Sequence, residues 1–339
     1  MKMSKLFGSA LAIAVCFILA GSCQSELTGE EPSDEPAGEM SSSSEETKGT
    51  DPSSVPETPE PPPPTPTAAP TPPPPTPTAV PTPSPPPLPS GTNVIVAAQG
   101  VLGWTIDGEW IGVSDPSSIP AEEGDLYRVL RTGSPSSIDV PGSEPMEGCG
   151  PLPGSTTEID IDDPLFNADG WPYTYPIAIS SNWDLTPHNV ESLSLESEIY
   201  KGFARDILAG VEITEPDPNL ITLIRTDLQG DGIDEVIAVT ERISGSLISP
   251  SPGDYSILFI RRIVGGEVIQ ELIAGDVFID EGSGLLYSAR LVAVADLNGD
   301  GRMEIIMQYG YYEGSSTHVI EYKNDVEGFQ QVLVVGCGA

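Results

Sequence analysis

Two short stretches of this chain place oxygen-bearing side chains at one repeated spacing, 69 residues apart. The first runs Asp227-Leu228-Gln229-Gly230-Asp231-Gly232-Ile233-Asp234-Glu235 and the second Asp296-Leu297-Asn298-Gly299-Asp300-Gly301-Arg302-Met303-Glu304. Side-chain oxygens fall at positions 1, 3, 5 and 9 of each stretch, and glycine stands at position 6. Hard cations such as Ca²⁺ take six to eight oxygen ligands from this kind of alternation. Asp227, Gln229, Asp231 and Glu235 would supply one set, and Asp296, Asn298, Asp300 and Glu304 the other, with the backbone carbonyl of Arg302 as a further ligand. Gly232 and Gly301 would wrap the chain around the ion through a positive φ. Gln229 offers only a neutral amide oxygen, which makes the first loop the weaker metal candidate of the two. The same Asx-rich composition also makes tight turns without any metal, because short polar side chains bond their own backbone.

The elements that must hold these loops are strands. An EF-hand would need a carboxylate at position 12 and flanking helices, but position 12 is Ala238 in the first loop and Met307 in the second. The flanks, such as Leu291–Ala295 and Glu304–Gln308, are apolar and β-branched, which predicts strand–loop–strand. The pattern D-L-[NQ]-G-D-G-x-x-E-[IV]-I resembles the FG-GAP or VCBS repeats of integrin-like β-propellers. That resemblance spans about 120 residues from Leu220 onward and implies a calcium loop joining neighbouring strands of one blade. Adding Leu220–Thr226, Val236–Arg242, Asp254–Arg262 and Glu267–Ala274 around the first loop gives four strands. Leu291–Ala295, Ile305–Tyr312, Thr317–Lys323 and Gly328–Val335 do the same around the second. Four antiparallel strands make one propeller-blade-like unit, but two units cannot close a ring of four to eight blades. Three arrangements stay open: degenerate blades from the N-terminal part, the two units stacked as an open sheet pair, or assembly of several chains.

The chain begins with Lys2 and Lys5 before an apolar run, Leu6–Ala20, that is short for a spanning helix. It closes on Ala20-Gly21-Ser22-Cys23, which resembles a bacterial lipobox with Ala20 where that motif prefers Leu. Residues 1–22 are therefore expected to be a lipoprotein signal peptide, with Cys23 lipidated and the mature chain held by its lipid on the extracytoplasmic face of a bacterial membrane. An ordinary secretory signal is the alternative, and either places the mature chain outside the cytoplasm. Residues 23–92 hold 22 of the 37 prolines, with Ser-Glu runs preceding Pro-Thr repeats. Such a segment buries too little apolar surface to offset its chain entropy. It is expected to be a disordered, polyproline-rich spacer with a reach on the order of 200 Å.

With Cys16 leaving in the signal peptide and Cys23 carrying the lipid, Cys149 and Cys337 remain. In an oxidising compartment an even pair usually joins. The formal charge is −37, and residues 93–339 carry 40 acidic against 11 basic side chains, a net −29. That field excludes nucleic acid as a partner and disfavours anionic lipid.

The globular part is expected to be mainly β: an N-terminal β-rich subdomain at 93–188, then one helix and two four-stranded repeats at 189–339. Asn93–Val113 reads as a hairpin and Asp125–Arg131 as a strand. The spacing of Leu195, Ile199, Phe203 and Ile207 predicts a helix over Val190–Ala209. The acidic run Ile159–Trp171 reads as a solvated loop. Trp104, Trp110, Trp171 and Trp183 would make either core or a sugar-stacking platform. The two histidines, His188 and His318, are far apart, and no nucleophile elbow or phosphate loop accompanies them. These features point to a cell-surface lipoprotein displaying a calcium-stabilised β domain for a protein or glycan ligand. A secreted hydrolase using Asp or Glu in a cleft, and a structural envelope protein, are the competing classes.

Overall fold

The computed structural model describes residues 91–130, 139–149, 156–163, 166, 174–211, 213, 216–279 and 284–338, all within one compact unit. The expected signal peptide, Cys23 and most of the Pro-rich spacer lie outside these residues, as does Trp171.

The fold is mainly β, as its alternating and β-branched segments predict. Short strands open the chain: β1 (Thr92–Ala97), β2 (Gly100–Ile106), β3 (Glu109–Gly112), β4 (Leu126–Leu130), β5 (Val140–Pro141), β6 (Met146–Glu147), β7 (Thr157–Glu158), β8 (Ile177–Ile179) and β9 (Glu191–Ser192). Helix α1 (Glu198–Gly210) follows. The first repeat is β10 (Leu220–Thr226), β11 (Glu235–Arg242), β12 (Asp254–Val264) and β13 (Glu267–Phe278). The second is β14 (Ser288–Ala295), β15 (Glu304–Tyr311), β16 (Gly314–Asn324) and β17 (Gly328–Gly338). Each repeat is an antiparallel meander, in the order β13-β12-β11-β10 and β14-β15-β16-β17. The first gains β9 as a fifth, edge strand beyond β10. The N-terminal sheet runs β3-β2-β1-β8-β4-β5.

The three sheets stack face to face with the second repeat in the middle. One core joins it to the N-terminal sheet through Ile95, Leu102, Ile177 and Ile179 against Val292, Ile306, Val319 and Leu333. A second core joins it to the first repeat through Ile237, Val239, Leu258 and Ile260 against Leu291, Ile305, Met307 and Ile320. Alternate residues of β15 therefore serve opposite cores, and a strand covered on both faces reads as one continuous apolar run. A bulge between Leu291 and Ala293 resets this alternation in β14. The two repeats are also joined by Arg290, whose Nη2 and Nη1 donate to Glu241 Oε1 (2.7 Å) and Oε2 (2.5 Å). Of the three arrangements open to the sequence, the chain adopts the open stack. The N-terminal sheet is its third layer, and no barrel closes among the described residues.

Helix α1 is shorter than its periodicity predicts. Glu191 and Ser192 instead pair with Arg225 and Ile224 on the open edge of β10, where ladder bonds outweigh a weak helical preference. The helix begins after Ser197, with Glu198 in the first turn favourably placed against the helix dipole. Its inward face also differs from the expected stripe. Ala204 and Leu208 are buried beneath Phe259 and Tyr255, whereas Ile199 is 67 % exposed and Leu195 39 %. Phe203 and Ile207 pack at the margin of this core, and the Arg261 guanidinium lies 4.7 Å over the Phe203 ring. The acidic loop after β7 is only partly solvated: Asp160 and Asp162 are exposed, but Asp163 is buried and Ile159 and Ile161 belong to a core behind the N-terminal sheet.

Candidate metal loops and their surroundings

Each candidate loop joins two neighbouring antiparallel strands of one repeat: Asp227–Asp234 between β10 and β11, and Asp296–Met303 between β14 and β15. Glycines take positive φ at two places in each, Gly230 (71°) and Gly232 (85°), then Gly299 (79°) and Gly301 (83°). The position-6 glycines were expected to do so; the position-4 glycines do the same work. An L side chain at either place would be strained.

The loops share a hydrogen-bond frame. Asp227 Oδ1 accepts from the Gly230 amide (2.7 Å) and Oδ2 from Gly232 (2.8 Å). Asp296 Oδ1 likewise accepts from Gly299 (2.6 Å) and Oδ2 from Gly301 (3.0 Å). Asp231 and Asp300 each accept, at 2.8 Å, the amide two residues on, from Ile233 and Arg302. Glu235 Oε2 and Glu304 Oε2 reach back to the amides of Leu228 and Leu297, also at 2.8 Å. The sequence brings together in one loop each of the residues it nominates, four by four.

The loops differ in two respects that the motif does not show. The first is burial. Asp231 and Asp234 are exposed and Asp227 and Gln229 half-buried, while Asp296 and Asn298 are 3 % and 4 % exposed; the position-9 glutamates, Glu235 and Glu304, are equally buried. The segment after β8 clasps the second loop. Trp183 Nε1 donates to the Asp296 carbonyl (2.9 Å), the Asp296 amide donates to Leu185 O (2.9 Å), and His188 Nε2 donates to Gly301 O (3.0 Å). The Met303 amide bonds Leu228 O (2.8 Å), tying loop to loop. Trp183 and His188 therefore hold a loop rather than a ligand. Trp104 is core, and Trp110 donates to Glu321 Oε2 (2.7 Å), so these three tryptophans do not form the platform considered from sequence.

The second difference lies at the position-9 glutamate. In the first loop the Gln229 amide donates to Glu235 Oε1 (3.2 Å), so both carboxylate oxygens are served from within. In the second, Asn298 turns its oxygen to the Asp300 amide (3.0 Å), and Glu304 Oε1 is buried with no hydrogen-bond partner. An unserved buried carboxylate oxygen costs about 1–3 kcal/mol or more. Burial, reinforced by the nearby charges of Asp300 and Asp296, pushes Glu304 well above the usual carboxylate range. Burial also lifts Asp296 to about 6 despite its two glycine amides. Glu235 rises to about 7, again through burial first.

A divalent cation fits the second loop on this chemistry. It would serve Glu304 Oε1 and offset the mutual repulsion of Asp296, Asp300 and Glu304, and carboxylate oxygens that already accept one amide keep a second lone pair. The first loop fits less well, because Gln229 already stands against Glu235. Among the described residues no three His, Cys, Asp or Glu side chains converge into a ready-made metal cluster, so any ion here relies also on Asn298 and the Arg302 carbonyl.

Away from the loops, Cys149 and Cys337 form a disulfide with Cα atoms 5.8 Å apart, joining β17 to the strand-poor segment after β6. No helix among the described residues is long and apolar enough to cross a membrane. Comparison of the chain with protein-family models, with curated proteins and with solved structures finds no match, so the likeness to integrin-type repeats rests on the two loops and their strands alone.

Proposed function

We propose that this chain is an envelope lipoprotein, anchored through Cys23 and raised on its Pro-rich spacer, that displays a three-sheet β domain for ligand binding. Ca²⁺ at Asp296, Asn298, Asp300, Glu304 and the Arg302 carbonyl completes that domain. The observation that carries the metal is the orphaned, buried Glu304 Oε1. The ion's part is structural: it neutralises a buried acidic loop that the segment after β8 and the first loop hold in place. The first loop, with Gln229 standing in for the cation, keeps its shape without metal.

Extracellular calcium modules bind at about 10⁻⁴–10⁻³ M. An ion that binds only the folded state raises its stability by mass action. Thermal melts in millimolar Ca²⁺ and in chelator should therefore separate for the natural chain and converge for Asp300→Ala. Identical melts of the natural chain under both conditions would remove the metal from this reading.

A further inference from the structure

We infer that the domain carries a binding pocket for an organic ammonium group beside the Cys149–Cys337 disulfide. This rests on the display reading above and names the chemical class of its ligand. The pocket is an open recess of about 360 Å³, with room for one side chain or small ligand. Tyr175, Tyr311 and Tyr312 line it together with the carboxylates Glu158 and Glu313. Both halves of the disulfide form part of its wall.

Its walls are positioned from several directions. The Tyr175 amide donates to Gln308 Oε1 (2.8 Å) and its carbonyl accepts from Gln308 Nε2 (3.1 Å), which ties the segment before β8 to β15. Tyr311 stacks at a tilt on Tyr287, ring centres 5.6 Å apart. Its hydroxyl lodges against Gly338 and Gly314, where a Cβ on either glycine would collide with it. Glu158 Oε1 accepts from the Cys149 amide (3.0 Å), which fixes that carboxylate beside the disulfide. Tyr312 is 60 % exposed at the rim, with no hydrogen bond or ion pair to any described residue.

The chemistry selects the ligand. No Lys or Arg lines the pocket, so nothing offsets the charge of Glu158 and Glu313, and anions are excluded. Inorganic divalent ions take six to eight oxygen ligands, more than the two carboxylates of this pocket give. A neutral sugar gains less than a cation from the uncompensated charge of Glu158 and Glu313, and the Gln99 amide is spent on its neighbours: its Nε2 donates to Ser315 Oγ (2.7 Å) and its Oε1 accepts from Thr317 Oγ1 (2.7 Å). Tyrosine side chains beside carboxylates with no basic partner in the lining attract an alkylammonium head through cation–π and ionic contact together. A lysine side chain of a partner protein and a quaternary amine share that chemistry.

The test titrates the full chain with Nα-acetyl-lysine methylamide, with choline, with 3,3-dimethylbutanol (the uncharged isostere of choline) and with N-acetylglucosamine, observed by NMR. At least one ammonium probe should bind with Kd on the order of 10⁻³ M and the alcohol about tenfold more weakly. Tyr312→Ala and Glu313→Gln, both on exposed side chains, should each weaken binding about fivefold without moving the thermal melt. Preference for the lysine probe assigns the pocket to a basic protein partner, and preference for choline to a small quaternary amine. Equal binding of the alcohol, binding of the sugar through the same residues, or no ammonium binding up to about 50 mM would overturn the inference. Calcium-dependent melts with no ammonium binding would remove the pocket and leave the display reading standing.

Discussion

Breaking the Cys149–Cys337 bond should lower stability by an amount that its loop length sets. The two cysteines are 188 residues apart, and closing a loop of that size in the unfolded chain is worth on the order of 5 kcal/mol at 25 °C. The folded state should lose little, because β17 stays in place without the bond. It pairs with β16 along its length, and Leu333 and Val335 are buried in the core shared with the N-terminal sheet. The double variant Cys149→Ser/Cys337→Ser avoids a stray thiol. Urea unfolding without reductant should show a loss of about 3–5 kcal/mol, which for a domain of this size is a fall in Tm of roughly 10 °C or more. Limited proteolysis should then cut first after the last buried residue of β17, at the Gly336–Gly338 end that the bond no longer pins. Unfolding free energies within about 1 kcal/mol of each other would refute the reasoning, since they would mean the chain gains nothing from so long a covalent loop.

Further outcomes follow from the loops and the N-terminus. In chelator, unfolding free energy should fall as pH rises from about 4.5 to about 7, because Glu235 and Asp296 hold their protons more tightly folded than unfolded and that stability is lost as pH passes their raised values. Urea midpoints at pH 5 and pH 8 check this, and a flat profile contradicts it. Gln229→Asp should replace the internal amide on Glu235 with a carboxylate, destabilise the metal-free chain by about 1–3 kcal/mol through repulsion, and create a second Ca²⁺ site; equilibrium dialysis with ⁴⁵Ca²⁺ reads the change from one ion to two. Cys23→Ala should move the protein from the membrane fraction to the soluble one, and membrane retention of that variant would point to an uncleaved Leu6–Ala20 segment.

The strands of both repeats were legible because their β-branched runs are broken by turn residues, Val264-Gly265-Gly266-Glu267 and Asn324-Asp325-Val326-Glu327-Gly328 among them. Their stacking order was not. Residues such as Leu291–Ala295 are apolar on both faces of the strand, which signals two covers without naming either. The start of α1 was misread because Glu191 and Ser192 are spent on the edge of β10, a demand that arises only once that edge exists. The loop ligands were visible in their spacing, yet what separates the loops is tertiary. Trp183, Leu185 and His188 bury the second loop from a distant part of the chain, and only the reach of a Gln side chain lets position 3 of the first loop bond Glu235. Gln229 ranked the first loop below the second in the sequence, but by its neutral amide; that the longer Gln stem reaches Glu235 while Asn298 is one methylene shorter showed only in the fold. The tyrosine pocket had no signal at all, since Glu158, Tyr175 and Tyr311 come from three separate segments.

The most direct test of the account is calorimetric titration of Ca²⁺ into the metal-free chain at neutral pH, for the natural sequence and for Glu304→Gln and Glu235→Gln. The account predicts one ion per chain with Kd about 10⁻⁴–10⁻³ M. That binding should be lost in Glu304→Gln and retained in Glu235→Gln, because, of these two glutamates, Glu304 is the one with a buried carboxylate oxygen that no protein group serves. Unchanged binding in Glu304→Gln, or loss in Glu235→Gln alone, would contradict it.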